Sequence, residues 1–327
     1  MAHMTNPLAT VDQLYRRSSF GALPTDLQDI VFFATQTLTQ AAGVLLRIPQ
    51  SVTAQACVIL ARYWLIESPL SYEFSDTSAA ALYLVAKLSS HPCPPRDVCN
   101  VYAYLLSPNS PLFRDDHSQG KGKGNDKEKD ESHHLSESAY THFRQRILAQ
   151  ESRILYSLSF DTHVALPHAL AITYLQTLDF LSVPDKTDIS RRAVAYLNTA
   201  LLSPQQLYLT HQPHALAVAA VYGAARDVGA RMPACAWWEV FDVDREELGF
   251  LVVGMRSLEG WVRKRRVEHG DLRGGMVTRA FVEGEMRKRG LRIGNGSGRG
   301  GGGGDEMVDE ETAMMRSMDE KVAQLEE

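Results

Sequence analysis

The sequence predicts an all-α protein built as two successive five-helix units. Apolar residues recur at three- and four-residue spacing along most of the chain and rarely alternate, which is helical rather than strand periodicity. Two alanine-rich runs, Ala79 to Leu88 and His214 to Val228, are apolar on nearly every face, as the central helix of a bundle must be. Two amphipathic segments precede each run, and a short and then a long one follow it.

In the first unit, Leu27, Ile30, Val31, Ala34, Leu38, Ala41, Ala42, Leu45 and Leu46 mark a helix over Thr25 to Arg47. Thr25 or Asp26 is expected to cap it, and Pro49 closes it. Ala54, Val58, Ala61 and Leu65 mark a second helix from Ser51 to Glu67, and Asp76-Thr77-Ser78 is expected to open the alanine-rich third. Pro95 suits the first helical position of a short fourth helix, Arg96 to Leu106. Residues 115–137 are Lys, Gly, Asp, Glu, Ser and His with little apolar content, too little to offset ordering entropy, and should form a mobile insertion. Phe143, Ile147, Leu148, Ile154, Leu155 and Leu158 define the fifth helix.

The second unit repeats this order: Leu166 to Leu181, Asp188 to Leu202, the alanine-rich run, a short Trp237-Trp238-Glu239-Val240-Phe241 element, and a final helix striped by Leu248, Leu251, Val252, Met255, Leu258 and Val262. The expected domains are an N-terminal extension (1–22), a first unit (23–163) carrying the insertion, a second unit (164–266), and a basic, Gly-rich, then acidic tail (267–327). Gly300 to Gly304 reads as a flexible, disordered linker, with a Met-containing amphipathic stretch from Asp305 to Glu327.

Composition excludes several classes of function. The chain has 327 residues, 44% of them hydrophobic, and a formal net charge of −5. A dedicated nucleic-acid binder normally shows a strongly basic domain, so direct nucleic-acid binding is not expected. Its four cysteines form no CxxC pair, which fits a reducing compartment. No run of eighteen apolar residues suggests a membrane partner. His211 and His214 have metal-like spacing without a third ligand nearby, so no metal site is expected. Gly296, Gly298 and Gly301 match a dinucleotide pattern only because their surroundings are nearly all glycine, with no preceding strand, so no cofactor is expected either. Arg263-Lys264-Arg265-Arg266 suits a helix C-terminus, where cations meet the negative end of the dipole, and equally a nuclear-import signal.

Four motifs carry a resemblance. Leu38-Thr-Gln-Ala-Ala-Gly-Val-Leu-Leu-Arg-Ile-Pro-Gln50, Ala86-Lys87-Leu88, Arg96-Asp97-Val98-Cys99-Asn100-Val101 and Leu158-Ser159-Phe160-Asp161 occur in the order of a cyclin box. They most resemble the transcriptional and RNA-processing cyclins, above all cyclin L, which has a Leu-Leu-Arg-Leu/Ile-Pro-Gln turn, an Ala-Ser-Lys helix end, an Arg-Asp-Val-Ile-Asn-Val helix and a Leu-Gly-Phe element. The resemblance implies a tandem cyclin fold and a regulatory, non-catalytic subunit of a cyclin-dependent kinase. It further implies a PITSLRE-type kinase partner, a nuclear location, and splicing or transcription factors as targets or further partners. In that family a lysine ending the third helix and a glutamate in the fifth contact the kinase; Lys87 and Glu151 fall on those positions. With the adjoining apolar groups, the expected kinase-facing set is Lys87, Leu88, Glu151, Leu155 and Phe160, with Ile154 and Leu158 on the same face as Glu151. Two departures stand out: Ser89-Ser90 replaces the two glutamates that usually follow the lysine region, and the first helix lacks the substrate-docking pattern of cell-cycle cyclins. Alternatives are activation of another transcriptional kinase, since Trp237-Trp238-Glu239-x-Phe241 is also similar to cyclin K, and a kinase-independent adaptor of the kind built on the same five-helix repeat.

Overall fold

The computed structural model describes residues 5–18, 23–107, 110, 112, 134–181, 186–269 and 277–291. The expected insertion, apart from its last few residues, lies outside the described residues, as do the Gly-rich and acidic parts of the tail. The helices are α1 (Val11–Ser18), α2 (Thr25–Leu45), α3 (Gln50–Tyr63), α4 (Phe74–Leu88), α5 (Pro95–Leu105), α6 (Glu137–Ser157), α7 (His168–Thr177), α8 (Lys186–Leu201), α9 (Leu207–Thr210), α10 (Pro213–Val228), α11 (Arg245–Glu268) and α12 (Arg279–Lys288), with a 3-10 turn at Trp237–Phe241. Among the described residues no strand occurs.

α4 is the axis of the first unit and packs against α2, α3, α5 and α6. Ala79, Ala80, Ala81 and Ala86 are fully buried, so neighbouring backbones approach it closely. It begins a turn earlier than Asp76-Thr77-Ser78 suggests, and these residues lie inside the helix rather than capping it. Tertiary partners account for the difference. Arg146 Nε donates to Asp76 Oδ2 at 2.8 Å, and Ser78 Oγ lies 2.7 Å from both Thr39 Oγ1 and Tyr102 Oη. Buried hydroxyls satisfied in this way cost the helix little.

The Leu-Leu-Arg-Ile-Pro turn joins α2 to α3. Arg47 takes a left-handed φ of 55°, the Ile48 amide donates to Gly43 O, and Pro49 opens α3. Gly43 is required here, because a Cβ would sit 2.3 Å from Thr53 Oγ1. At the other end of α2 the capping position is Pro24, and neither Thr25 nor Asp26 caps with its side chain. Asp26 instead binds Arg289, the residue that caps the end of α12, through two contacts of 2.9 and 2.8 Å.

α10 is the axis of the second unit, against α7, α8, α9, α11 and the 3-10 turn. The units meet where α3 faces α8 and α9, and one apolar core runs through both. The N-terminal segment is part of this junction. Asn6 trades two hydrogen bonds with Gln212, at 3.0 Å each, and two with Ala165, at 2.7 and 2.8 Å. Buried Arg62 donates to His163 O at 2.7 Å. α12 lies within the segment expected to be a basic tail, yet it is folded: Val277, Val282 and Met286 pack on Leu27, Ile30, Val31 and Ala34 of α2 in a second apolar cluster. A short basic helix holds there because a distant helix covers its apolar stripe.

Cys57 and Cys99 are buried free thiols, and burial pushes their pKa up to about 12 and about 11. Among the described residues no helix is long and apolar enough to cross a membrane.

Candidate functional site

The ends of α4 and α6 lie side by side, and this contact assembles the candidate surface. α6 turns Phe143, Ile147, Gln150, Glu151 and Ile154 inward. Glu151 sits at the edge of that stripe, with its side chain only 6% exposed. Across from it, Lys87 reaches from the last turn of α4, and its ammonium binds Glu151 Oε1. The ammonium also lies 5.4 Å from the centroid of the Tyr83 ring, one turn back on α4. Lys87 remains 48% exposed, so an ammonium with three donors retains capacity toward an outside acceptor.

α4 stops at Ser89, whose amide donates to Val85 O and whose hydroxyl donates to Ala86 O; His91 N then donates to Ser89 Oγ. Ser89 thus serves to end the helix. Leu88, beside Lys87, is exposed.

α6 ends in the Leu158-Ser159-Phe160-Asp161 turn. Phe160 N donates to Leu155 O at 2.8 Å, which ties two of the expected residues together through the backbone. Ser159 and Phe160 are both left-handed, with φ of 51° and 62°. That conformation costs roughly 1–2 kcal/mol per non-glycine residue and is unusual for a bulky side chain. Burial does not hold Phe160 there, since it is 61% exposed; its ring meets the still more exposed Tyr156 ring edge-on at 5.5 Å.

The structure therefore brings Lys87 and Glu151 into direct contact, places Leu155 half-buried one turn beyond Glu151, and presents Leu88 and Phe160 to solvent. Ile154 does not share that surface, because it points into the core and is fully buried. Sequence reasoning missed Tyr83 and Tyr156. Tyr83 stands four residues before Lys87, the spacing that stacks side chains on one helix face, whereas Tyr156 meets Phe160 only through the turn that ends α6.

The other sequence candidates fall elsewhere. His211 Nδ1 lies 2.9 Å from Thr210 Oγ1, and its ring stacks on Phe250; His214 Nε2 faces Asp242 O at 3.2 Å. Among the described residues no group of three His, Cys, Asp or Glu is placed to hold a metal ion. In the α11 cation run, Arg263 pairs with Glu259 and Arg265 with Glu268, both at 2.8 Å, and Arg265 also lies over Trp261. These are helix-end contacts.

No family model matches the chain. Curated relatives do. An uncharacterized cyclin-L1-like protein of Schizosaccharomyces pombe is 30% identical over 234 residues, covering 71% of this chain and 83% of the relative. The cyclin L homolog of Caenorhabditis elegans is 30% identical, over 69% of this chain and 47% of its own, and human cyclin-L2 is 27% identical, over 88% and 49%. The chain thus spans about half the length of the worm and human relatives. Among solved structures, a chain of the yeast RNA Pol II CTD kinase CTDK-1 complex matches with a TM-score of 0.58 at 14% identity, covering 94% of this chain and 89% of that one. A chain of the Chaetomium thermophilum CAK complex bound to ATP-gamma-S matches with a TM-score of 0.50 at 15% identity, covering 89% and 88%. At such identities these two likenesses carry the fold. With the tandem helical units, the Leu-Leu-Arg-Ile-Pro-Gln turn and the extent of the fission-yeast match in hand, the chain belongs to the cyclin L family of cyclins.

Proposed function

We propose that this chain is the regulatory subunit of a cyclin-dependent kinase, binding it through the surface built from Lys87, Leu88, Glu151, Leu155 and Phe160. One observation carries the reading: Phe160, an exposed aromatic, is held in a costly left-handed backbone at the end of the helix that carries the buried, paired Glu151. Strain kept at an exposed position is explained when the position is used, and exposed aromatics make interface anchors. Tyr83 and Tyr156 extend the surface.

The subunit performs no bond chemistry. A protein kinase is active when its strand lysine pairs with a glutamate on a mobile helix. A partner that binds only the arrangement with that helix inward shifts the population toward it by the difference in its affinities for the two states. Lys87 supplies charge-assisted donors for helix-end carbonyls, while Leu88, Leu155 and Phe160 supply apolar area.

Membership in the cyclin L family supports a finer reading, in which the kinase is of the PITSLRE type, the complex works in the nucleus, and its targets are transcription and pre-mRNA splicing factors. Affinity purification of the tagged chain, read by mass spectrometry and by phosphorylation of splicing-factor and heptad-repeat peptides, tests this. A co-purifying PITSLRE-type kinase that prefers splicing-factor peptides is the expected result. A different kinase preferring heptad repeats would replace the finer reading, and stable partners without any kinase would replace the whole by an adaptor role.

A further inference from the structure

We propose that the cleft between α8, α10 and α11 is a binding site for a phosphorylated serine or threonine side chain of a partner protein, held by Arg192 and Arg256. The cleft lies in the second unit, away from the α4–α6 surface, and encloses about 350 Å³ among Arg192, Tyr196, Thr199, Asp227, Met255 and Arg256.

Its construction begins at Gly223 on α10. A Cβ there would lie 3.2 Å from the Tyr196 ring, so glycine lets that ring lie against the helix. The tyrosine hydroxyl then donates to Asp227 Oδ2 at 2.7 Å. Asp227, whose side chain is 17% exposed, in turn gathers two guanidinium groups from different helices: Arg192 of α8 at 3.5 Å from Oδ2 and Arg256 of α11 at 3.2 Å from Oδ1. Both contacts are longer than the 2.7–2.9 Å or so of a strong charge-assisted hydrogen bond. Each guanidinium has five N–H donors, so one loose contact leaves most of them open to the cleft.

The charges facing this space are the two arginines, Asp227 and Glu259. Glu259 is turned along α11 to Arg263 at 2.8 Å, and Asp227 alone faces two cations. The lining is formally neutral, two arginines against two carboxylates, but with Glu259 drawn to Arg263 the two guanidinium groups share the single carboxylate of Asp227 and keep planar, forked donors to spare. A dianionic phosphate monoester presents three acceptor oxygens and fits two such forks, where a point-charge ammonium would not. A nucleic-acid backbone is disfavoured, because it needs cations repeated along a track and this protein is acidic overall.

The test needs no kinase and so stands apart from the function proposed above. A fluorescent peptide with one phosphothreonine among neutral residues, its unphosphorylated counterpart, and a short single-stranded RNA are each titrated against the full chain by anisotropy. The phosphopeptide is expected to bind and the unphosphorylated peptide to bind at least about tenfold more weakly. Arg192→Ala with Arg256→Ala should remove that difference, inorganic phosphate should compete, and Arg191→Ala, which removes an equal charge one residue away, should change nothing. Thermal melts confirm that the variants are folded. Equal binding of the two peptides, no measurable binding of either, an unchanged double variant, or RNA bound as tightly as the phosphopeptide would each overturn the proposal.

Discussion

Asn6 and Ala165, 159 residues apart, exchange two hydrogen bonds: the Ala165 amide donates to Asn6 Oδ1 at 2.7 Å and Asn6 Nδ2 donates to Ala165 O at 2.8 Å. The side chain behaves like a short strand partner for the backbone that joins the two units. Because Asn6 also pairs reciprocally with Gln212 and receives Arg62 Nη2 at 3.4 Å, one residue of the N-terminal segment couples α3, the connection and the entry to α10.

Asn6→Ala should therefore destabilise the whole two-unit fold. It strands a buried amide and a buried carbonyl at Ala165, each costing about 1–3 kcal/mol. A loss of about 2 kcal/mol or more in urea unfolding is expected. A change below about 0.5 kcal/mol, the usual range for a surface substitution, would mean the N-terminal segment is not part of the junction.

Ser159→Gly should stabilise the protein. Ser159 takes φ of 51° where glycine has no Cβ penalty, so a gain of up to about 1 kcal/mol is expected, with no change in the far-ultraviolet spectrum. A lowered melting temperature would show that the Ser159 side chain makes a contact that matters more than the backbone.

How legible these features were in the sequence depends on whether their causes are local. The two central helices stood out because an alanine-rich run that is apolar on nearly every face needs no partner to be recognised, and α4 and α10 lie at the centres of their units. The early start of α4 was hidden because Asp76 and Ser78 look like capping residues until Arg146 and Tyr102 arrive from other helices. α12 was hidden because Val282 and Met286 form an apolar stripe too short to be read without the α2 face it covers. At the candidate site, resemblance singled out Lys87 and Glu151. Their direct contact depends on how α4 packs on α6, and the left-handed Phe160 depends on the turn that ends α6, where Ser159 is left-handed too.

Gly43→Ala tests the turn between α2 and α3. The added methyl would fall 2.3 Å from Thr53 Oγ1 and 3.0 Å from Thr53 Cβ, so the helices must part. Overpacking of this kind costs about 1–3 kcal/mol, and pairing with Thr53→Ala should recover most of the loss. No loss in the single variant would show that the two helices are farther apart.

Docking of α12 on α2 should depend on acid. The hydrogen bond from Arg289 holds the Asp26 carboxyl below its ordinary range, and the hydrogen bond from Lys288 does the same for Glu285. Groups with depressed folded pKa values add stability that is present above their unfolded values and lost as pH falls through the folded ones. Protection of α12 amides, corrected for intrinsic exchange, should be flat from about pH 5 to 8 and fall below about pH 4. Asp26→Asn should lower protection at neutral pH and flatten that acid step. An identical acid step in the variant would assign it to other groups.

The most direct test of the kinase-binding surface uses Leu88→Asp combined with Phe160→Asn. Both side chains are exposed, and asparagine tolerates the left-handed backbone, so the unfolding free energy should stay within about 1 kcal/mol of wild type. Lys87 and Glu151 are left intact, which avoids stranding a buried carboxylate. Affinity for the co-purified kinase, measured by calorimetry or surface capture, should fall about a hundredfold or more, the scale expected when two interface anchors are removed. Unchanged affinity in a folded double variant would contradict the account and move the kinase contact elsewhere on the molecule.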